Sequence, residues 1–125
     1  MPTFQWKSLT VSVALAFAAL AAPAANAQQQ SASEAREQIE TRIMARLKLA
    51  SEYYSRNQIG AALRELMSAQ DISSDYAPLQ NMLGVVNMDL RRYDEAEKAY
   101  QRALKLERDN PDIHNNYGWF LCVSG

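Results

Sequence analysis

Cysteine occurs once in the 125 residues, as Cys122. A single thiol excludes an internal disulfide and leaves no set of Cys ligands for zinc. Histidine also occurs once, as His114, eight residues before Cys122. On one helix that separation is about 12 Å, so the two cannot act as a nucleophile and its base. No glycine-rich phosphate loop, metal-ligand spacing or paired-carboxylate arrangement accompanies them. The sequence therefore offers no catalytic, cofactor-binding or metal-binding residues, and neither an enzyme nor a cofactor is expected. His114 reads as a packed or partly exposed residue at a helix start, and Cys122 as a half-buried small apolar group. Glycine and proline number only four each, which suits a helical chain. Neither sign of charge dominates: 13 Lys and Arg against 14 Asp and Glu give −1, and nothing in that balance points to nucleic acid. Asp94, Glu95, Glu97 and Glu107 read as a solvated helix face.

Only one long apolar run is present, residues 9–22, preceded by Lys7 and broken by Pro23. Ala25-Asn26-Ala27 then supplies the small-x-small pattern that a signal peptidase reads. The run is short for a bilayer core of about 30 Å and includes Thr10 and Ser12, which favours cleavage over an uncleaved membrane anchor. Residues 1–27 are predicted to be a signal peptide, with a bacterial periplasm as the expected destination. A lipoprotein would carry Cys just after the run, but Gln28 stands there. Membrane association is expected only through a partner. Residues 28–33 read as a flexible linker, in which Ser31 with Glu34 can form a capping box.

From residue 34 to 125 the pattern is helical and repeats. Gly84 and Gly118 lie 34 residues apart inside apolar runs. A glycine inside a helix costs about 1 kcal/mol relative to alanine, so two at a fixed interval require a packing reason. Ala96, Tyr100 and Ala103 follow at i, i+4 and i+7, one face of a helix. One period earlier stand Ala50, Ala62, Leu66 and Ala69, each small or apolar. This layout resembles the tetratricopeptide repeat, a helix–turn–helix unit of 34 residues. The predicted fold is an all-α solenoid with repeats at 43–76 and 77–110 and a partial one at 111–125. Ala50, Ala62, Gly84, Ala96, Tyr100, Ala103 and Gly118 are the predicted repeat-packing residues. Helices are predicted from about Ser33 to Ser55 and Ile59 to Asp71, with Pro78 near the start of the third. Asp94 is predicted to cap the fourth, and Asn110 the fifth, with Pro111 at its first position. Gly125 aligns with Asn57 and Arg91, the turn between the helices of one unit. The third repeat thus lacks its second helix, and its apolar Tyr117, Trp119, Phe120 and Leu121 suggest either a truncated product of a longer array or a short form that docks through that edge.

In known stacks of such units the first helix of each pair lines a concave groove. Transferred to this sequence, that geometry predicts a protein-binding groove containing Tyr54, Asn81, Val85, Met88, Asn115 and Trp119. Asn81 and Asn115, 34 apart, are expected to stack on neighbouring helices and offer amides to an extended peptide. No Lys/Arg pair occupies groove positions, which disfavours capture of a C-terminal carboxylate.

The run Asn115-Asn116-Tyr117-Gly118-Trp119-Phe120-Leu121, following Asn110-Pro111-Asp112-Ile113-His114, resembles the type IV pilus biogenesis and stability proteins, the PilF/PilW-type secretin pilotins. The resemblance implies a periplasmic helical scaffold at the outer membrane that helps the pilus secretin multimerise, and it implies no catalytic residues. A general periplasmic adaptor for another envelope complex is the wider alternative. Both treat Cys122 as chemically idle, so Cys122→Ser is expected to leave partner binding unchanged. Loss of binding in that variant would instead establish a thiol-dependent role.

Overall fold

The computed structural model describes residues 12–125, and every regular element in that span is an α-helix. They are α1 (Ser12–Ser55), α2 (Ile59–Ile72), α3 (Ala77–Asp89), α4 (Tyr93–Leu106) and α5 (Pro111–Ser124). The first part of the expected signal peptide lies outside the described residues. Among the described residues no helix is long and apolar enough to cross a membrane.

Met1–Gln38 and Ile39–Gly125 form two separate units. In the first, the described backbone is helical, including residues 28–33, where a flexible linker was expected. The reason is local: residues 24–55 contain neither glycine nor proline, and the stretch is rich in Ala, Gln, Glu and Arg, all good helix formers. Ser31 does not form the expected capping box. Its Oγ donates back to the Gln28 carbonyl at 2.9 Å, as Ser33 Oγ does to Gln30 at 2.8 Å, a pattern proper to serines within a helix. Side chains 23–38 are all exposed, so this stretch owes its helical form to backbone hydrogen bonding.

The second unit holds the core. Ile43 and Ala50 of α1, Ala62, Leu66 and Ala69 of α2, and Leu79, Leu83 and Val86 of α3 form one buried cluster. Ala77, Ala103 and Ile113 form another, and Ala96, Tyr100 and Phe120 a third. The α1–α2 and α3–α4 turns are made alike. Asn57 and Arg91 both have φ 59°, the left-handed conformation that reverses a chain after a helix. Asn57 N–H donates to Tyr54 O and Gln58 N–H to Tyr53 O, both at 2.9 Å. One period later Arg91 N–H donates to Met88 O at 2.9 Å and Arg92 N–H to Asn87 O at 2.8 Å. This turn starts α4 early: the Arg92 carbonyl already accepts from Ala96 N–H at 2.9 Å. Arg92 is therefore the N-cap, without a side-chain cap. Asp94, expected as the cap, lies inside the first turn, where its charge favours the positive end of the helix dipole. Asn110 does cap α5, its Oδ1 accepting from Asp112 N–H at 2.9 Å and Ile113 N–H at 3.4 Å.

The two glycines of the repeat differ. A Cβ on Gly84 would stand 2.5 Å from Tyr100 Cε1 and 2.6 Å from Cζ, so α3 meets the Tyr100 ring only because that atom is missing. A Cβ on Gly118 meets nothing within 4 Å, and Gly118 is exposed, which corrects its assignment as a packing residue. Among the described residues no ring faces Gly118 as Tyr100 faces Gly84. In the first unit of the period, Ala50 and Leu66 stand where Gly84 and Tyr100 stand in the second, and both are fully buried. A smaller partner leaves room for the methyl.

Substituting alanine at the two glycines is therefore expected to act in opposite directions. Gly84→Ala overpacks a buried ring and should destabilise by about 1–3 kcal/mol. Gly118→Ala should stabilise by up to about 1 kcal/mol through helix propensity alone. Gly84→Ala with Tyr100→Leu recreates the Ala50–Leu66 pairing and should recover part of the loss. Urea unfolding of the three variants tests the scheme, which fails if Gly84→Ala is neutral.

Candidate protein-binding face

The first helices of the units, α1, α3 and α5, are joined by side-chain bonds at matching levels. Tyr54 of α1 donates its hydroxyl to Asp89 Oδ2 of α3 at 2.6 Å. Asn116 Nδ2 of α5 donates to Asn81 Oδ1 of α3 at 3.2 Å. The second bond departs from the expected pairing of Asn81 with Asn115: Asn116 takes the partner's place, and Asn115 is exposed. Neighbouring positions on a helix differ by about 100°, and the turn that sets α5 against α3 brings Asn116 round to Asn81.

Tyr54, Asn81, Val85 and Met88 are half-buried, and Trp119 is 63% exposed. Val85 and Met88 rest on the cluster of Ala96, Tyr100 and Phe120, so their outer surfaces are held at a fixed height. Tyr100 stacks on Tyr117 with centroids 5.6 Å apart and lies at the same distance from Phe120. Tyr117 and Phe120 stand 6.0 Å apart, and Tyr93 closes on Phe120 at 6.2 Å. Offset and tilted rings at these separations attract beyond their buried area. Tyr117 also donates its hydroxyl to Glu97 Oε1 at 3.4 Å, and Glu107 Oε2 accepts from Asn110 Nδ2 at 2.6 Å, so two of the carboxylates read as a solvated helix face have partners. The predicted packing residues Ala50, Ala62, Gly84, Ala96, Tyr100 and Ala103 are all buried.

The electrostatics of this face centre on Asp89. Its hydrogen bond, then burial and then its charge push the Tyr54 phenol up to about 12. Burial, followed by the charge of Asp89 and the neighbouring Tyr54, also raises the Tyr100 phenol. The Tyr100 hydroxyl is buried and has no hydrogen-bond partner among the described residues, a polar atom that the pattern of small and aromatic residues could not reveal. The arrangement suits non-covalent contact: half-buried apolar side chains, an exposed indole and a carboxylate with capacity for a further donor. Cys122 is exposed rather than half-buried. His114 is exposed and its Nε2 meets the Arg108 carbonyl at 2.6 Å, remote in role from any thiol. Among the described residues no group of three or more His, Cys, Asp or Glu is placed to hold a metal ion.

Residues 77–110 match the tetratricopeptide repeat family, the interval occupied by α3, α4 and the turn after them. A stretch of Superkiller complex protein 3 of Homo sapiens is 39% identical over 75 residues, covering 55% of this chain and 5% of that protein. An uncharacterized protein of Haemophilus influenzae is 31% identical over 93 residues, covering 74% of this chain and 51% of that one. The chain thus spans about half the length of the bacterial relative and a small fraction of the human one.

The two phenols give a paired test. Tyr54→Phe deletes a hydrogen bond to a carboxylate and should cost about 0.5–1.5 kcal/mol at neutral pH. Tyr100→Phe deletes an unpartnered buried hydroxyl and should be neutral or stabilising by about 1 kcal/mol. Because the folded-state value of Tyr54 lies above its ordinary 10.0, its contribution is complete below pH 10 and is lost as pH rises from 10 towards 12. The stability difference between wild type and Tyr54→Phe should shrink over that interval in urea titrations at stepped pH.

Proposed function

We propose, with the tetratricopeptide repeat at residues 77–110 as the premise, that this protein is an exported binding scaffold that assists multimerisation of the outer-membrane secretin in type IV pilus biogenesis. Its action is non-covalent. The face formed by α1, α3 and α5 receives a segment of a secretin subunit and covers its apolar surface until subunits meet in a ring. Tyr54, Val85 and Met88 supply a shaped floor, Trp119 an exposed aromatic anchor, and Asn115 and the amide nitrogen of Asn81 hydrogen bonds to the guest's main chain. The observation that carries this reading is α5. It holds the run Asn115-Asn116-Tyr117-Gly118-Trp119-Phe120-Leu121, which resembles the pilotin family, and it leaves Trp119, Leu121 and Val123 exposed at 63%, 50% and 46%. Export to the periplasm rests on the pattern of residues 1–27, and membrane association on the partner.

A general periplasmic adaptor for another envelope complex is the second reading. It is favoured by the nature of the packing set: Gly84, Ala96, Tyr100 and Ala103 are what the repeat itself requires, whichever partner is bound.

Deleting the gene is expected to abolish heat-resistant secretin multimers while other envelope assemblies persist. Trp119→Ala should fold normally, since the side chain is exposed, and weaken secretin binding by about tenfold or more, about 1.4 kcal/mol. Multimers that survive the deletion would rule out the secretin role. Loss of a different envelope complex would establish the adaptor.

A further inference from the structure

Away from the face of α1, α3 and α5, α4 presents Lys98, Arg102 and Lys105 at i, i+4 and i+7, a single stripe. The cavities along this side of the molecule follow it. A cleft of about 390 Å³ opens between α2 and α4 over α3, bordered by Met67 and Leu63 on one wall and Arg92, Lys98 and Arg102 on the other. A second, of about 480 Å³, continues past Lys98, Arg102 and Lys105 beside Asp75. A third, of about 390 Å³, lies against Lys105, Arg108 and His114. Glu95 and Asp75 are the acidic residues that border them.

Arg102 is engaged, donating to Ser74 Oγ at 2.7 Å and Asp75 Oδ1 at 3.0 Å. The ion pairs among the described residues are this one and Arg46–Glu65. Arg92, Lys98, Lys105 and Arg108 are exposed and stand outside both. The floor of the first cleft is polar as well. Gln80 and Asn87 are 2% and 7% exposed. Their nitrogens donate to Ser74 O and Leu83 O, both at 2.9 Å. Their oxygens have no donor from the described residues and are open to solvent at the cleft, where a guest's N–H groups can replace water.

We propose that the cleft between α2 and α4, with the basic stripe of α4, is a second docking site that receives an extended protein segment bearing acidic and apolar side chains. Three features select this occupant. The unpaired cations call for carboxylates. The amide oxygens of Gln80 and Asn87 call for N–H donors, which a peptide main chain has and a phosphodiester backbone lacks. Met67, 55% exposed, and Leu63 call for apolar side chains. The site uses Gln80, Leu83 and Asn87 of α3, whereas the face described above uses Asn81, Val85 and Met88, so one helix serves two surfaces and each can be disabled alone.

The test uses the full chain and a labelled peptide of repeating Glu-Leu-Glu-Ser, read by fluorescence anisotropy, beside a Lys-for-Glu counterpart and a short single-stranded DNA. The Glu peptide is expected to bind, to weaken as salt is raised, and to lose about tenfold or more in affinity on Arg92→Ser with Lys98→Ser. Lys98→Arg should retain binding, Met67→Ser should reduce it, and Trp119→Ala should leave it unchanged. These are exposed positions, and urea midpoints no lower than the wild type's will confirm folding, since Ser at position 92 can also cap α4. Unaltered binding in the Arg92→Ser, Lys98→Ser variant would overturn the proposal. So would equal affinity for the Lys peptide, or DNA that binds as tightly and displaces the Glu peptide. A Trp119→Ala protein that binds the Glu peptide yet fails to support secretin multimers separates the two sites.

Discussion

The packing of the second unit depends on one missing atom. α3 and α4 approach closely because Gly84 has no Cβ, and the space is filled by Tyr100, three of whose ring carbons would lie within 2.7 Å of such a Cβ. Tyr100 is fully buried there and becomes the hub on which Tyr117 and Phe120 of α5 pack at ring-centroid distances of 5.6 Å. The contact therefore joins three helices. Helices of 13 or 14 residues are marginal alone in water, so the burial that this contact organises supplies what local propensity does not. Val85 and Met88 sit on the same cluster, which makes the height of the binding face a consequence of the Gly84–Tyr100 approach.

The interval of 34 residues was readable because a packing constraint leaves a chemical trace: small residues and one aromatic recur where helices touch. Ala50, Ala62, Gly84, Ala96, Tyr100 and Ala103 form such a trace, and all are buried. Gly118 obeys the same pattern and is exposed, because the pattern marks what a position accommodates while burial also needs the partner ring. Helix starts were less legible. Asp94 has the right side chain for a cap, but the start of α4 is fixed upstream by the left-handed Arg91, a residue type that gives no warning of that conformation. Ser31 carried a capping signature that the backbone did not use, since helix continued through it.

The polar features were the least legible. Gln80 and Asn87 look like surface residues and are buried, because each amide bonds a nearby carbonyl, of Ser74 and of Leu83. The bond between Tyr54 and Asp89 spans 35 positions, and only the stacking of α1 on α3 brings the two together. Asn81 finds Asn116 rather than Asn115 for a similar reason: the angle at which α5 lies on α3 decides between neighbours 100° apart, and no local pattern encodes that angle.

Charge shows the same limit. A net of −1 describes the total, whereas binding responds to the local field. The α4 sequence places Asp94, Glu95 and Glu97 ahead of Lys98, Arg102 and Lys105, and in the total these cancel. In three dimensions they separate in part, with Glu95 staying at the border of the first cleft. The acids gather in the first turns, where Glu97 reaches Tyr117. The cations run down the helix beside the clefts, and the carboxylate of Asp89 sits at Tyr54 on another face of α3. A helical stack of this kind thus presents an acidic, aromatic surface and a basic one from a nearly neutral chain. With the small and aromatic positions committed to packing, the charged positions between them are free to set what each surface attracts.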